Sequence, residues 1–493
     1  MKTTSATVEL VFIPSPGMGH LVSTVEMAKQ LVGRDHRLSI TFLIIKKPFD
    51  KSKVSSSTQS LLLAAAEDRL KFVYLPLDEA VAADLRSKFP DHNFMLEFIK
   101  TNKQNVRDHV AKMVSTGSTQ IAAFVIDMAC TPMMDVAAEF GVPSYAFFTS
   151  NATVLGLVFH LESLSPEEYH DLTELKDSDD ELELPGFVNP VPVKVLPTSF
   201  RDREFVPRVI SLAKTLRQTK GIMVNTFEEL ESNAVRFLAE NDKVPPVYPV
   251  GPVIHLVNNK NEEGEEATEI VKWLDNQPLS SVVFLCFGSV GSFGGDQLKE
   301  IAQALEQSGH RFLWSVRRPP SKGKREIPNE YQDLNQVLPD GFLERTNEIG
   351  KVIGWAPQVT ILSHKAVGGF VSHCGWNSTL ESLWYGVPVA TWPMRSEQPT
   401  NAFQLVRELR LAVDIKLDYK KDICMSNSSN VMLVTAEEIE NGIRKLMESE
   451  NECGKERKQR VKEMSEKSKV AVVEGGSSYN SIGLLIEDFM KTT

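Results

Sequence analysis

Short apolar runs rich in Val, Ile, Leu and Phe alternate along the chain with longer stretches of helical period. That pattern predicts parallel sheets wrapped by helices, because a strand buried on both faces reads as a continuous apolar run. In the first half the runs fall at Leu10–Ile13, Ser39–Ile45, Lys71–Leu75, Ala122–Ile126, Ser144–Phe148 and Gly221–Val224. In the second half they fall at Val282–Phe287, Phe312–Val316, Lys351–Ile353, Gly369–Ser372 and Pro388–Thr391. Two doubly wound α/β units follow. Between them, the Pro-rich run Val244–Pro252 and the polar, acidic stretch Asn258–Glu269 read as connecting chain. The expected division is a first domain over 1–250, a linker over 251–270 and a second domain over 271–477. A terminal helix over 478–493, with Ile482, Leu485, Ile486 and Phe489 at helical spacing, packs back on the first domain. Asp171–Glu183 and Pro319–Asn329 read as surface insertions.

Composition narrows the partners. The 493 residues carry 54 Lys plus Arg against 65 Asp plus Glu, a formal charge of −11, so a nucleic-acid partner is not expected, since phosphate backbones select a clustered excess of cations. The cationic runs Arg317–Arg325 and Lys455–Lys469 read as solvated surface. No apolar run approaches the roughly 18 residues a spanning helix needs, so no membrane insertion is expected. The first nine residues are too weakly apolar for a signal peptide. Five scattered cysteines without a CxxC pair fit a reducing compartment, the cytoplasm. The three Asn-X-Ser/Thr patterns, at Asn151, Asn377 and Asn427, are then coincidental.

In open parallel sheets, ligands bind beyond the carboxyl ends of the strands. Those positions hold Pro14–His20, Asp127, Thr149 with Ser150, Gly288–Gly291, His373–Ser378 and Trp392–Gln398. His20 opens an amphipathic helical stretch, where the positive end of the helix dipole favours a neutral imidazole, suiting a general base. It needs a carboxylate once it accepts a proton, and Asp127, ending an otherwise apolar strand, is the candidate. Each could instead merely cap a helix. His373–Glu381 is the second constellation. Ser378 and Glu381 have the spacing of a capping box, which leaves His373, Asn377 and a Trp376 read as exposed without a role. Helix-start N–H groups beside an imidazole and an amide suit a diphosphate, with Glu381 one turn on to accept from ribose hydroxyls.

Other chemistries find less support. His364, His373 and Cys374 have no partners at metal spacing. Asp177-Ser-Asp179 matches the short acidic signature of metal-dependent sugar transferases, but sits in a run where carboxylates are expected, so no metal is expected. Gly288, Gly291 and Gly294 do not make GxGxxG, which counts against a nicotinamide-dependent oxidoreductase. There is no GxSxG elbow and no GxxxxGK[ST] loop.

The run Trp355-Ala356-Pro-Gln358 … His364 … His373-Cys-Gly375-Trp376-Asn377-Ser378 … Glu381-Ser … Gly386-Val-Pro388 … Pro393 … Glu397-Gln398 resembles the plant secondary-product glycosyltransferase box. Pro16-Gly-Met-Gly19-His20, Val125-Ile-Asp127-Met and Phe287-Gly-Ser289 match the same family, so the resemblance spans the chain. It implies the GT-B fold, two Rossmann-like domains facing across a cleft. It also implies an inverting, metal-independent transfer of glucose from UDP-glucose, a co-substrate rather than a bound cofactor. Carried over by residue, Trp355 stacks on uracil, Gln358 meets the nucleoside and Glu381 holds the ribose. His373, Asn377, Ser378 and Ser289 hold the diphosphate, and Trp376, Glu397, Gln398 and Thr149 hold the sugar. Gly19, Ala356 and Gly375 fall on the donor side. Gln398, where the family's galactose users tend to have His, points to glucose; another UDP-sugar is the alternative. His20 is the implied base and Asp127 its partner. The sequence around Met128-Ala-Cys-Thr and Phe147-Phe-Thr-Ser resembles the branch acting on flavonoids, other phenolics and terpenoids. A hydrophobic hydroxylated acceptor is implied, taken by the aromatic loops near Phe94, Phe147, Phe148, Phe159, Leu196 and Phe200. No individual contact is assigned, and a monomer is expected. The remaining alternative is a catalytically silent binding protein on the same fold, against which His20 and Asp127 both stand.

Overall fold

The computed structural model describes residues 7–48, 62, 65, 68–89, 91–115, 120–175, 178, 180–256, 265–320, 328–418 and 433–491. The chain forms two compact units. The first combines Met1–Glu167, Val206–His255 and Val470–Thr493, and the second combines Glu168–Phe205 with Leu256–Lys469.

The first unit is built on β1 (Val8–Ile13), β2 (Leu38–Ile44), β3 (Leu70–Tyr74), β4 (Gln120–Asp127) and β5 (Ser144–Phe148). In the second, a short antiparallel pair, β6 (Glu181–Leu182) and β7 (Val191–Pro192), precedes the main sheet. With β8 (Gly221–Val224) and β9 (Val247–Pro249), the first unit's sheet runs β3-β2-β1-β4-β5-β8-β9, every adjacent pair parallel. The second unit's sheet uses β10 (Val282–Cys286), β11 (Arg311–Ser315), β12 (Gly350–Ile353), β13 (Val367–Ser372), β14 (Val389–Thr391) and β15 (Ala412–Asp414). Its order is β12-β11-β10-β13-β14-β15, again parallel throughout. Both orders reverse direction once, between β1 and β4 and between β10 and β13. At such a switch point the connections leave to opposite sides and open a crevice at the strands' carboxyl ends.

All eleven strands expected from the apolar runs form, to within two residues at each end. β9 lies inside the Pro-rich run read as connecting chain. Among the described residues it pairs only with β8, at the sheet's edge, where Pro249 costs no central ladder bond. The segment Glu168–Phe205, which the sequence reading kept in the first domain, clusters with the second unit. There, the backbone N–H groups of Val188 and Asn189 donate to the Glu408 carboxylate at 2.8 and 2.9 Å, and the Thr400 hydroxyl donates to the Val195 carbonyl at 2.7 Å.

The helix Ser477–Met490 buries Ile482, Leu485, Ile486 and Phe489 in the first unit's core. Phe489 meets the Tyr145 ring edge-on, with centroids 4.7 Å apart. Beside it, the Tyr145 hydroxyl donates to Asp488 at 2.6 Å, and Lys220 pairs with the same carboxylate at 3.3 Å. Burial, with Asp488 adjacent, pushes the Tyr248 phenol up to about 12. Among the described residues no helix is long and apolar enough to cross a membrane.

Candidate active site

In the first unit, β1 leads through Pro14–Gly17 into the helix Met18–Arg34, whose N-cap is Gly17 and makes no side-chain cap. His20 stands in that helix's first turn, and Asp127 is the last residue of β4, the neighbouring strand across the switch point. His20 Nδ1 lies 2.8 Å from Asp127 Oδ2. The Asp127 side chain is fully buried, while 37% of the His20 side chain is exposed. Asp127 also accepts from the Ala129 N–H on Oδ1 at 2.9 Å, capping the 3₁₀ turn Met128–Met133. Capping and pairing therefore coexist on separate oxygens. The Thr149 hydroxyl, just past β5, stands 2.8 Å from the same Nδ1. With a carboxylate accepting there, Nδ1 carries the proton and the basic lone pair falls on Nε2. Gly19, exposed on the first turn, accepts from the Ser23 hydroxyl at 3.1 Å.

In the second unit, β10 runs into Gly288 and Ser289, and β13 into His373–Ser378. Gly288 has φ +73, and a Cβ there would fall 2.6 Å from His373 Nε2. One on Gly375 would fall 2.5 Å from it. The imidazole thus fits between two positions that only glycine leaves open. His373 Nδ1 is enclosed, with no hydrogen-bond partner among the described residues. Burial, followed by Arg395, pulls the His373 pKa down to about 3, so the ring is neutral. Cys374 sits in the left-handed region at φ +61, its carbonyl accepting from Asn401 Nδ2 at 2.9 Å. Such a conformation persists only where surrounding contacts enforce it.

The turn delivers the helix Trp376–Trp384 with Gly375 as N-cap. The helix starts two residues before Ser378, so the capping box that the spacing of Ser378 and Glu381 offers as an alternative to a binding role does not form. Gln358, at the start of the helix Gln358–Leu362, instead donates to Ser378 Oγ at 2.8 Å and to Glu381 Oε2 at 2.6 Å. Trp355, just past β12, is 37% exposed and Ala356 is buried beside it. Trp376, read from sequence as exposed, is only 4% so, because as the first helical residue it turns into the core. Asn377 and Glu397 are half-buried and Ser289 is exposed. Gln398 is buried, its carbonyl oxygen accepting from the Met394 and Arg395 N–H groups at 2.9 and 3.0 Å. Two backbone donors fix the amide's orientation.

A family model described as UDP-glucoronosyl and UDP-glucosyl transferase matches residues 208–444. UDP-glycosyltransferase 71A15 of Malus domestica is 52% identical, over 97% of this chain and 98% of its own. The chain belongs to the UDP-glycosyltransferases. Another relative, UDP-glucose flavonoid 3-O-glucosyltransferase 6 of Fragaria ananassa, is 51% identical over 97% and 98% of the two chains. Among solved structures, Medicago truncatula UGT71G1 complexed with UDP-glucose superposes with a TM-score of 0.81 at 39% identity, covering 99% of each chain. The enzyme is a glycosyltransferase of the GT-B fold.

Within this glycosyltransferase, the structure gathers His20, Asp127 and Thr149 in the first unit. It gathers Gly288, His373 and Gly375 around one ring in the second, and Gln358, Ser378 and Glu381 around one amide. Thr149, carried over by resemblance as a sugar contact, is in direct reach of His20. The apolar and aromatic residues around which the acceptor loops were expected are packing: Phe147, Phe148 and Phe159 are fully enclosed, and Phe94, Leu196 and Phe200 are buried. Asp177 and Asp179 lie outside the described residues. Among the described residues no group of three or more His, Cys, Asp or Glu could hold a metal ion. Sequence reasoning gave Arg317 no part beyond surface charge, yet its guanidinium lies 5.1 Å from the Trp355 ring centroid.

Proposed function

We propose that this enzyme transfers glucose from UDP-glucose to a hydroxyl of a hydrophobic small molecule, a flavonoid, another phenolic or a terpenoid, with inversion at the anomeric carbon. The observation that carries the reading is the His20–Asp127 contact with Thr149 on the same nitrogen. The carboxylate, which can only accept, favours the tautomer protonated on Nδ1, leaving the other nitrogen able to take a proton. In the reaction, His20 Nε2 removes the acceptor's hydroxyl proton as that oxygen attacks the anomeric carbon. Asp127 stabilises the imidazolium, and UDP leaves from the opposite face. One displacement converts an α-linked donor into a β-glucoside.

For the donor, Trp355 offers a flat apolar surface to uracil and Glu381 accepts from the ribose hydroxyls. The N–H groups opening the Trp376–Trp384 helix, with His373, Asn377, Ser378 and Ser289, meet the diphosphate. Glu397 and Gln398 are assigned to the sugar, Trp376 through its backbone N–H at the helix start because its ring is buried, and Thr149 is kept there as a second role. A charge met this way needs no metal ion, so activity is expected to persist in EDTA; its loss there would return attention to Asp177 and Asp179. The acceptor class is supported by the flavonoid named for the Fragaria relative. We also infer a monomer working in the cytoplasm.

The test is an acceptor panel with UDP-glucose, read by product mass and anomeric linkage, for the protein and for His20→Ala. The variant is expected to lose about 10²–10⁴-fold in turnover while still binding UDP. Undiminished turnover, or an α-linked product, would refute the mechanism.

A further inference from the structure

β11 and β12 are parallel neighbours in register, Ser315 opposite Ile353. Two residues further on, the same register sets Arg317 opposite Trp355. The extension is held by two bonds: Val316 N–H donates to the Ile353 carbonyl at 2.9 Å, and the Ser315 hydroxyl to the Gly354 carbonyl at 2.7 Å. The guanidinium lies over the indole, 5.1 Å from the ring centroid, and donates to the Pro328 carbonyl. Its Nε is enclosed with no hydrogen-bond partner among the described residues. Burial lowers the Arg317 pKa, so the cation keeps its place at a desolvation cost that the aromatic face partly offsets. A solvated surface arginine has no such constraints.

We propose that Arg317 is a positioning residue for the nucleobase platform: set over Trp355, it holds the indole in the orientation that presents its exposed surface to the uracil ring. The inference rests on the reading that Trp355 carries the base. Arg317 acts through Trp355 and is not assigned a contact with the donor. A flat guanidinium can stack on an indole and bond in its own plane at once, which a lysine ammonium does less well. The uracil is remote from the bond that breaks, so loosening the platform weakens ground state and transition state alike. Such a change raises KM and leaves kcat in place.

The experiment is a double-mutant cycle in the full chain, with Arg317→Met, Trp355→Leu and the pair, titrated with UDP by calorimetry and assayed with UDP-glucose. Arg317→Met is expected to weaken UDP binding about 2- to 30-fold, the range of a cation–π contact. It should raise the UDP-glucose KM correspondingly, with kcat held within twofold, and Arg317→Lys should recover part of the loss. On the Trp355→Leu background, Arg317→Met should add nothing. Additive losses in the cycle, or Arg317→Met leaving UDP affinity intact while Trp355→Leu lowers it, overturn the inference alone. Unchanged UDP affinity in Trp355→Leu overturns the donor-site reading and the inference together. If Arg317→Met lowers the melting temperature sharply, Arg317→Gln takes its place in the same cycle under the same criteria.

Discussion

Replacing Asp127 by Asn separates proton transfer from architecture, because the two side chains have nearly the same shape and differ in what they offer His20. In the native site Oδ1 accepts from the Ala129 N–H at 2.9 Å and Oδ2 meets His20 Nδ1 at 2.8 Å. An asparagine that keeps its oxygen on Ala129 retains the cap, worth about 0.5–2 kcal/mol, but aims its NH₂ at Nδ1. The imidazole must then present a lone pair there and carry its proton on Nε2, the nitrogen that the proposed mechanism uses as the base. Losing a hydrogen bond to a charged partner costs about 1.5–3 kcal/mol, or roughly 10- to 150-fold at about 1.36 kcal/mol per decade. Inverting the tautomer removes the base as well, so the expected fall in kcat is about 10²–10⁴-fold. The assay is product formation from UDP-glucose and a phenolic acceptor by mass spectrometry, alongside UDP titration and thermal unfolding. Melting temperature and UDP affinity should hold. Turnover of Asp127→Asn within threefold of the parent would show that the contact is only a cap.

Glu381→Ala should weaken UDP binding by about 10- to 150-fold, the loss of a charged acceptor, without lowering the melting temperature, since Gly375 rather than Ser378 caps its helix; calorimetry and a thermal melt together check this. Gly288→Ala forces a Cβ to within 2.6 Å of His373 Nε2 at φ +73, so denaturant titration should show a loss of about 1–3 kcal/mol together with weaker UDP binding. Phe489→Ala removes a fully buried ring from the first unit and should cost about 3–5 kcal/mol by the same titration. His373, with its folded pKa pulled down to about 3, stays neutral while the unfolded chain takes up a proton below about 6.5. The unfolded state binds more protons in that window, so stability falls as pH drops from about 6.5 towards 3, by up to about 1.4 kcal/mol per unit. In unliganded protein, His373→Gln should flatten that limb, and an unaltered acid limb would contradict the shift.

The fold was legible because buried parallel strands advertise themselves as apolar runs, and the positions beyond their carboxyl ends include His20, Asp127 and Thr149, which the first unit brings together. His20 and Asp127 lie 107 positions apart, and only the sheet's switch point makes them neighbours. Where sequence reading failed, a local pattern outvoted a tertiary one. Val-Tyr-Pro read as connecting chain because proline is scarce in strands, yet an edge strand tolerates it. Ser378 and Glu381 have capping-box spacing, but the left-handed Cys374 and the small Gly375 start the helix two residues earlier and turn Trp376 inward. Arg317 stayed hidden because its meaning depends on strand register: a charge beside Pro and Gly looks like surface until β11 and β12 set it against Trp355.

The first unit is discontinuous in the chain: its last element, Ser477–Met490, seals a seam lined by residues from its first 40 positions onward. During synthesis that seam stays open until Ser477–Met490 has been made, so every strand of the second unit emerges before the first unit can close. Losing Asp488 and Phe489 therefore strikes the half of the enzyme that holds His20 and Asp127, although the whole main sheet of the second unit separates them from Asp127 in the chain.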